Sequence, residues 1–256
     1  MLFRSREVLP GANCGACGFA GCDDYAAALG SDSDVAPNLC PPGGTSVAAQ
    51  IAEILGVDAG STEAKYAEVL CKGSCEHTKP LMEYQGIKTC KAVKNFFGGH
   101  GSCRYGCLGF GDCVTACPYD AIHVVDGVAI VDRNNCVGCG LCVKACPNDI
   151  IQIAPGKNLI YVGCSNQDKG GVARKTCGVA CIGCMKCVKA CRFDSIKVEN
   201  NLAYINPETC RNCTMCVKEC PTGAIMQLPR PKKPAAKTQT VKPQPSQPEN
   251  QQVANA

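Results

Sequence analysis

The chain has 256 residues, of which 25 are cysteine, and it carries a formal net charge of +4. With no Trp, six Phe and seven Tyr it has little aromatic mass for a large core. We therefore expect metal–thiolate bonds to fix much of its backbone, and the metal-free chain to be poorly folded. The positive charge is concentrated in residues 229–256, and the rest of the chain is neutral. Because thiolates bound in clusters add negative charge, the body of the protein should be acidic, which argues against a nucleic-acid partner.

The spacing of the cysteines favours iron over the alternatives. A disulfide scaffold fits poorly, because the chain is long, its cysteine count is odd and its thiols cluster as Cys-x-x-Cys. Zinc also uses such pairs. However, three cysteines at two-residue gaps followed by Cys-Pro are typical of bacterial ferredoxins. The chain contains this run as Cys136-Val-Gly-Cys139-Gly-Leu-Cys142-Val-Lys-Ala-Cys146-Pro147. We expect [4Fe-4S] clusters and a reducing compartment.

The first predicted unit is an N-terminal 4Fe-4S module at residues 1–60. Two Gly-rich turns and a distal return supply four thiols for one cluster, from Cys14, Cys17, Cys22 and Cys40. A helix-like stretch follows from Asp23 to Leu29. An amphipathic helix is predicted from Thr45, capped by a Thr or Ser and ended by Gly56. Residues 61–102 form a Cys-containing connector for which the sequence predicts no fold.

The rest of the chain contains an internal repeat. Nine cysteines recur at an offset of 74 residues: Cys90, Cys103, Cys107, Cys113, Cys117, Cys136, Cys139, Cys142 and Cys146 map onto Cys164, Cys177, Cys181, Cys187, Cys191, Cys210, Cys213, Cys216 and Cys220. We predict a first ferredoxin lobe at 103–153, a connector and second lobe at 154–228, and a disordered Pro/Lys/Gln tail at 229–256. Each lobe should contain a β-hairpin, at Asp126-Gly127 and Asn200-Asn201, and short helices after each fourth Cys. The predicted fold class is a small, metal-stapled α+β protein.

Ligand sets follow from the rule that the fourth Cys of each run serves the other cluster. In the second lobe the rule predicts one set of Cys181, Cys184, Cys187 and Cys220 and another of Cys210, Cys213, Cys216 and Cys191. In the first lobe Phe110 stands where the counterpart of Cys184 would be, so we expect Cys103 to supply that ligand. The first-lobe sets are then Cys103, Cys107, Cys113 and Cys146, and Cys136, Cys139, Cys142 and Cys117.

Five clusters leave five cysteines over: Cys71, Cys75, Cys90, Cys164 and Cys177. Four of these could close a sixth cluster, bind zinc or remain free buried thiols. The sequence leaves these alternatives open. It contains neither a dinucleotide fingerprint nor a Gly-rich phosphate loop, so we expect no nucleotide on this chain.

Two motifs together resemble a known family. Leu9-Pro-Gly-Ala-Asn-Cys14-Gly-Ala-Cys17-Gly-Phe-Ala-Gly-Cys22 and Cys103-Arg-Tyr-Gly-Cys107-Leu-Gly-Phe-Gly-Asp-Cys113 are similar to those of the B subunit of the Rnf complex, in its long form with two ferredoxin lobes. The resemblance covers about residues 7–228. It implies an electron-relay subunit of an ion-translocating ferredoxin:NAD oxidoreductase, with soluble ferredoxin as donor and other Rnf subunits in the membrane as acceptors.

The chain departs from this family at its start. The family normally begins with a transmembrane helix, whereas here Met1-Leu-Phe-Arg-Ser-Arg leads directly to the first motif, and no run of 18 apolar residues occurs. We expect peripheral attachment at the cytoplasmic face of the cell membrane. Two other hypotheses are a soluble polyferredoxin serving another oxidoreductase, and a zinc-stapled interaction module.

Overall fold

The computed structural model describes residues 2–32, 34–61 and 63–229. The prediction of a disordered tail at 229–256 therefore lies outside the described residues, apart from Pro229. The helices are α1 (Leu2–Val8), α2 (Cys22–Ser31), α3 (Gly44–Leu55), α4 (Cys90–Asn95), α5 (Asp112–Thr115), α6 (Leu141–Ala145), α7 (Gly170–Thr176), α8 (Lys186–Ala190) and α9 (Met215–Glu219). The strands are β1 (Lys65–Val69), β2 (Ile122–Val125), β3 (Val128–Val131), β4 (Ile151–Pro155), β5 (Ile160–Val162), β6 (Ile196–Glu199), β7 (Leu202–Ile205) and β8 (Ile225–Gln227).

The N-terminal module is a packed group of three helices. Helix α1 contacts both α2 and α3, and the core between them includes Leu9, Tyr25, Leu29 and Ile51. Helix α3 confirms the predicted amphipathic helix and ends at Gly56, whose φ of 71° allows the left-handed cap. The predicted Thr or Ser cap is wrong, because the helix begins one residue earlier and Gly43 is the N-cap, without a side-chain hydrogen bond.

Both predicted hairpins form. Strands β2 and β3 are antiparallel and meet at Asp126 and Gly127, which have φ values of 49° and 79°. Strands β6 and β7 meet at Asn200 and Asn201, with φ values of 48° and 63°. Two successive positive φ values are what a tight hairpin turn requires, and Asp, Asn and Gly tolerate them best.

The short helices lie before the fourth cysteine of each run, and the prediction that they follow it is wrong. Helix α6 ends at Ala145, with Cys146 as its C-cap, and α8 and α9 end in the same way at Cys191 and Cys220. These three cysteines are followed by Pro147, Arg192 and Pro221, respectively. In each case the helix contains the third cysteine of the run, and the fourth, in an extended conformation, precedes a turn.

The connector, for which no fold was predicted, completes the first lobe. Its strand β1 pairs with β4, antiparallel, in the register Ala67↔Ile153. The second lobe has the same closure from β5 and β8, in the register Tyr161↔Met226. Within the described residues the strands form four two-stranded sheets. Such small sheets need additional support, which the cysteine-lined cores between them provide.

A buried ion pair fixes β1 to the first lobe. Arg133 donates from Nη2 to Glu68 Oε1 at 2.8 Å, with side-chain exposures of 6% and 2%. Arg133 also donates to the carbonyl of Asn158, at 3.1 and 3.0 Å from its two terminal nitrogens. The pair thus joins the strand before the first lobe to the loop after it.

In the part of the chain that the structure describes, no helix is both long enough and apolar enough to cross a bilayer.

Candidate iron–sulfur sites

Four thiols of the N-terminal module lie together: Cys14, Cys17, Cys22 and Cys40. Asn13, with a φ of 44°, accepts the Cys22 N–H on its Oδ1 at 2.9 Å and so sets the first turn. The buried Tyr25 hydroxyl accepts the Leu39 N–H at 3.3 Å and holds the loop that returns Cys40. Burial raises the pKa of Cys40 to about 11, and the charges of the other three thiolates also raise it. These four sulfurs are therefore close neighbours.

The second lobe contains two further groups of four thiols. Cys181, Cys184, Cys187 and Cys220 line a cavity of about 340 Å³. Cys191, Cys210, Cys213 and Cys216 line one of about 280 Å³. In each group the fourth cysteine comes from the other run, in the same combination as the fourth-cysteine rule gives.

One group in the first lobe has the same form. Cys117, Cys136, Cys139 and Cys142 line a cavity of about 340 Å³. The Ala67 N–H of strand β1 donates to Cys136 Sγ at 3.4 Å. Gly138 makes this approach possible, because a Cβ there would lie 2.5 Å from the Lys65 carbonyl oxygen. The connector therefore contributes directly to the environment of this group.

The remaining first-lobe group differs from the sequence assignment. The structure places Cys90, and not Cys103, beside Cys107, Cys113 and Cys146. Burial raises the pKa of Cys113 to about 12, and the charges of Cys107, Cys90 and Cys146 are among the next causes. Cys107 likewise has its pKa raised by burial, and by Cys90 and Cys146. This grouping differs from the set predicted from the sequence, in which Cys103 stood in place of Cys90.

The difference between the predicted and the observed grouping is explained by Phe110, which stands in place of the expected cysteine. Its ring packs edge-on against Tyr84 and His100 of the connector, with centroids 5.9 and 5.2 Å apart. Cys90 belongs to the same buried apolar cluster. The aromatic contact draws the connector onto the lobe, and the connector brings its own thiol. Nothing in the local sequence around Cys90 indicates this role.

The other surplus cysteines divide into two kinds. Cys75 is exposed and lies against the β2–β3 turn, where a Cβ on Gly127 would come within 2.8 Å of its Sγ. A cavity between the lobes is lined by Cys107 of the first-lobe group and by four surplus or displaced cysteines, Cys71, Cys103, Cys164 and Cys177. Cys103 therefore lies in this cavity, in place of its predicted position in the first-lobe group.

Several groups are close enough for thiols of one to affect thiols of the next. Burial raises the pKa of Cys139 to about 11, and the charge of Cys14 in the N-terminal module also raises it. Cys142 affects Cys113 between the two first-lobe groups. Cys187 affects Cys216 between the two second-lobe groups. The groups within each half of the molecule thus form a series.

The cavities between the thiols fit a cluster better than a single ion. A zinc ion requires four sulfurs to converge at about 2.3 Å from one point. Among the described residues, no three or more His, Cys, Asp or Glu side chains are placed to hold one metal ion. The thiols instead line cavities in groups of four, and Cys136 accepts a backbone N–H at its sulfur. Such hydrogen bonds are typical of cluster ligands. The residues present fit [4Fe-4S] clusters.

Comparison with known families supports this class of site. Residues 9–42 match a family model for an Fe-S cluster. Residues 104–153, 135–196 and 180–224 match models described as 4Fe-4S dicluster domains. Together with the grouped thiols, these matches define a small α+β protein that carries several iron–sulfur clusters.

Relatives identify the family. The chain is 48% identical to the B subunit of the proton-translocating ferredoxin:NAD(+) oxidoreductase complex of Clostridium ljungdahlii, over 87% of this chain and 79% of that protein. It is 49% identical to the B subunit of the Na(+)-translocating complex of Acetobacterium woodii, over 86% and 66%. It is 41% identical to the B subunit of the ion-translocating oxidoreductase complex of Methanosarcina acetivorans, over 86% and 83%. The chain belongs to this family of B subunits, as its motifs indicated.

Proposed function

We propose that this chain relays electrons within a membrane-bound, ion-translocating ferredoxin:NAD oxidoreductase complex, accepting them from reduced ferredoxin and passing them to membrane subunits. The observation that carries the proposal is the serial arrangement of four-thiol groups, in which Cys14 lies near Cys139, Cys113 near Cys142 and Cys187 near Cys216. A relay requires neighbouring redox centres in this way. Family membership supports the same function.

Five [4Fe-4S] clusters belong to this proposal. Their ligand sets are Cys14, Cys17, Cys22 and Cys40; Cys90, Cys107, Cys113 and Cys146; Cys117, Cys136, Cys139 and Cys142; Cys181, Cys184, Cys187 and Cys220; and Cys191, Cys210, Cys213 and Cys216. When bound, such clusters supply one-electron redox chemistry. Two ferredoxin lobes behind an N-terminal module form the proposed arrangement, with no nucleotide on this chain.

The protein's own groups would hold and tune these sites. Burial raises the pKa of Cys142 to about 12 and that of Cys216 to about 11, so these thiols are protonated until a metal replaces the proton. Backbone N–H groups such as that of Ala67 donate to ligand sulfurs. A donated hydrogen bond stabilises the more negative, reduced state and thereby raises the reduction potential.

The location follows from the proposed partners. The resemblance to the Rnf family implies that soluble ferredoxin donates its electrons at the cytoplasmic face. The chain should therefore lie at that face, held there by the other subunits. The names of the relatives give different translocated ions, the proton in one and sodium in another. The electron relay proposed for this chain is common to both.

The test is anaerobic purification followed by metal analysis and reduction. We expect about 20 or more iron atoms per chain with matching acid-labile sulfide, and loss of visible absorbance on adding an excess of reduced ferredoxin, which supplies one electron per cluster. Dithionite serves as the control reductant. Little iron with abundant zinc, or bleaching by dithionite and none by ferredoxin, would overturn the proposal. Co-purification with membrane subunits from the native host tests the location separately.

A further inference from the structure

Five cysteines line one cavity between the lobes: Cys107, which belongs to the first-lobe group above, and four others from four separate segments. Cys71 follows strand β1, Cys164 follows β5, Cys177 follows helix α7, and Cys103 starts the first lobe. This cavity is partly open to solvent, as are the cavities of the four-thiol groups above. We call these four cysteines the junction site. They are separated by up to 106 residues in the chain, so only the tertiary structure brings them together.

Three of the four sulfurs of the junction site accept an N–H hydrogen bond. The Cys107 N–H donates to Cys71 Sγ at 3.3 Å, and the Cys181 N–H donates to Cys164 Sγ at 3.3 Å. A free buried thiol has no need of several such donors, whereas thiolate ligands of a cluster carry negative charge that the donors stabilise.

Asn166 serves two of these sulfurs at once. Its backbone N–H donates to Cys164 Sγ at 3.4 Å and its side-chain Nδ2 donates to Cys103 Sγ at 3.5 Å. The side chain is only 1% exposed, and its Oδ1 is occupied by the Asp168 N–H at 2.7 Å. A buried amide fixed in this orientation carries a desolvation cost that its sulfur contacts must offset. The site is therefore built around the sulfurs.

A hydroxyl network holds Cys103 and Cys177 together. Thr78 and Ser102 are hydrogen-bonded through their hydroxyls at 2.8 Å. Both hydroxyl oxygens also lie within hydrogen-bond distance of the Thr176 carbonyl, at 3.2 and 3.1 Å, so one hydroxyl donates to this carbonyl while the other donates to the first hydroxyl or to the same carbonyl. Since Ser102 precedes Cys103 and Thr176 precedes Cys177, the network sets the separation of these two thiols.

The wall of the cavity is kept open at Gly73. A Cβ at this position would lie 3.1 Å from Cys177 Sγ and 3.8 Å from Cys71 Sγ. Any side chain here would thus press on two sulfurs at once. The small residue leaves room for a group bound between them.

We propose that Cys71, Cys103, Cys164 and Cys177 hold a sixth [4Fe-4S] cluster at the junction of the two lobes. The inference deepens the proposed relay function and rests on it. It also accounts for the odd cysteine count, because six sets of four leave only the exposed Cys75.

The junction site lies between the proposed ligand sets of the two lobes. Cys107, which donates to Cys71, belongs to a first-lobe ligand set, and Cys181, which donates to Cys164, belongs to a second-lobe set. One hydrogen bond therefore separates the junction site from a proposed ligand on either side. The site links the two half-series of clusters into one.

The test compares three variants with wild type by iron, sulfide and zinc content after anaerobic purification. We expect about 24 iron atoms in wild type and about 20 in Cys164→Ser and Cys177→Ser, with no zinc. Cys75→Ser, which alters the exposed cysteine outside every set, should retain about 24. Wild type with about 20 iron atoms that ferredoxin still reduces would overturn the sixth cluster and leave the relay standing. One zinc per chain, lost in both junction variants, would also overturn it. Little iron in wild type would overturn both proposals.

A second measurement needs no variant and so avoids any failure of folding. Brief treatment of the native holoprotein with iodoacetamide under argon, followed by peptide mass spectrometry, reports which thiols are free. We expect Cys75 to be alkylated and Cys71, Cys103, Cys164 and Cys177 to be protected, and to become reactive after iron chelation in denaturant. Alkylation of the junction cysteines in the native holoprotein at the rate of Cys75 would contradict the proposal.

Discussion

The Asp112 carboxylate accepts the backbone N–H of Cys90 at 2.8 Å, and through its other oxygen it accepts that of Lys91 at 3.0 Å. Asp112 opens helix α5 of the first lobe and Cys90 opens helix α4 of the connector. A carboxylate at the start of a helix satisfies N–H groups that have no partner within the helix. This contact aligns Cys90 with the neighbouring Cys113.

Replacing Cys90 tests the proposed ligand set of Cys90, Cys107, Cys113 and Cys146. Cys90→Ser should lower the iron content by about four atoms per chain, because serine is a poor substitute for a thiolate ligand. Cys75→Ser is the matched control, since Cys75 lies in the same connector and is exposed. Unchanged iron in Cys90→Ser would restore the assignment made from sequence, in which Cys90 is surplus.

Two glycines in one cysteine run allow the stability cost of a steric contact to be measured apart from the cost of backbone strain. Gly138 and Gly140 have φ values of 69° and 77°, so alanine is strained at both. At Gly138 a Cβ would also lie 2.5 Å from the Lys65 carbonyl oxygen, whereas at Gly140 it would meet no atom within 4 Å. We expect Gly140→Ala to cost about 1 kcal/mol and Gly138→Ala clearly more, measured as anaerobic thermal unfolding. Equal losses would show that strand β1 does not press on this turn.

The buried ion pair should be sensitive to loss of one partner. Arg133→Met leaves Glu68, only 3% exposed, without its cation, which should destabilise the fold by about 3–5 kcal/mol. Adding Glu68→Leu to this variant should recover part of the loss, because no unpaired charge then remains. A double variant less stable than Arg133→Met would contradict this account.

The same pair predicts a pH dependence. Burial raises the pKa of Glu68, while its contacts with Gln152 and Arg133 lower it. Without Arg133 the folded-state pKa should rise further above that of the unfolded chain. A carboxyl whose pKa is raised on folding stabilises the fold while protonated, and this stability is lost as pH rises through the folded pKa. The deficit of Arg133→Met should therefore grow with pH, as urea unfolding can measure.

Asn166 should tune the junction site without being one of its ligands. Asn166→Leu removes the Nδ2 donor to Cys103, so the reduced state of that cluster loses stabilisation and one midpoint potential should shift to a more negative value. Iron content should remain at about 24 atoms. Gln167→Leu, at the adjacent exposed position, is the control for redox titration monitored by electron paramagnetic resonance. An unshifted set of potentials would exclude this role for Asn166.

Removal of iron should unfold the lobes. The described sheets are two-stranded and many of the helices span only four to seven residues, so neither is stable by itself. Anaerobic chelation should reduce the far-ultraviolet circular dichroism signal and increase cleavage by trypsin, and reconstitution with iron and sulfide should reverse both effects. The N-terminal module, with its longer helices α2 and α3, should lose less structure than the lobes.

The sequence alone determined the features that depend on neighbouring residues. The Asp126-Gly127 and Asn200-Asn201 turns specify their hairpins, because few residue types accept two successive positive φ values. The amphipathic period of α3 and its terminal Gly56 are equally local. The cysteines of the run Cys136, Cys139 and Cys142 are separated by only two residues each, so their three thiols stay close together. The resemblance to the Rnf family rests on the same kind of local motif.

Only the tertiary structure decided which distant cysteines join these local runs. Phe110 removes a ligand from the first lobe, and the sequence cannot show that Tyr84 and His100 pack on its ring and bring Cys90 with them. In the same way, strand β1 and strand β5 carry Cys71 and Cys164 to one cavity because each pairs with the closing strand of its own lobe. Cysteine spacing determines a site when its ligands are neighbours in the chain. When they are far apart, packing between segments chooses among thiols that are chemically identical.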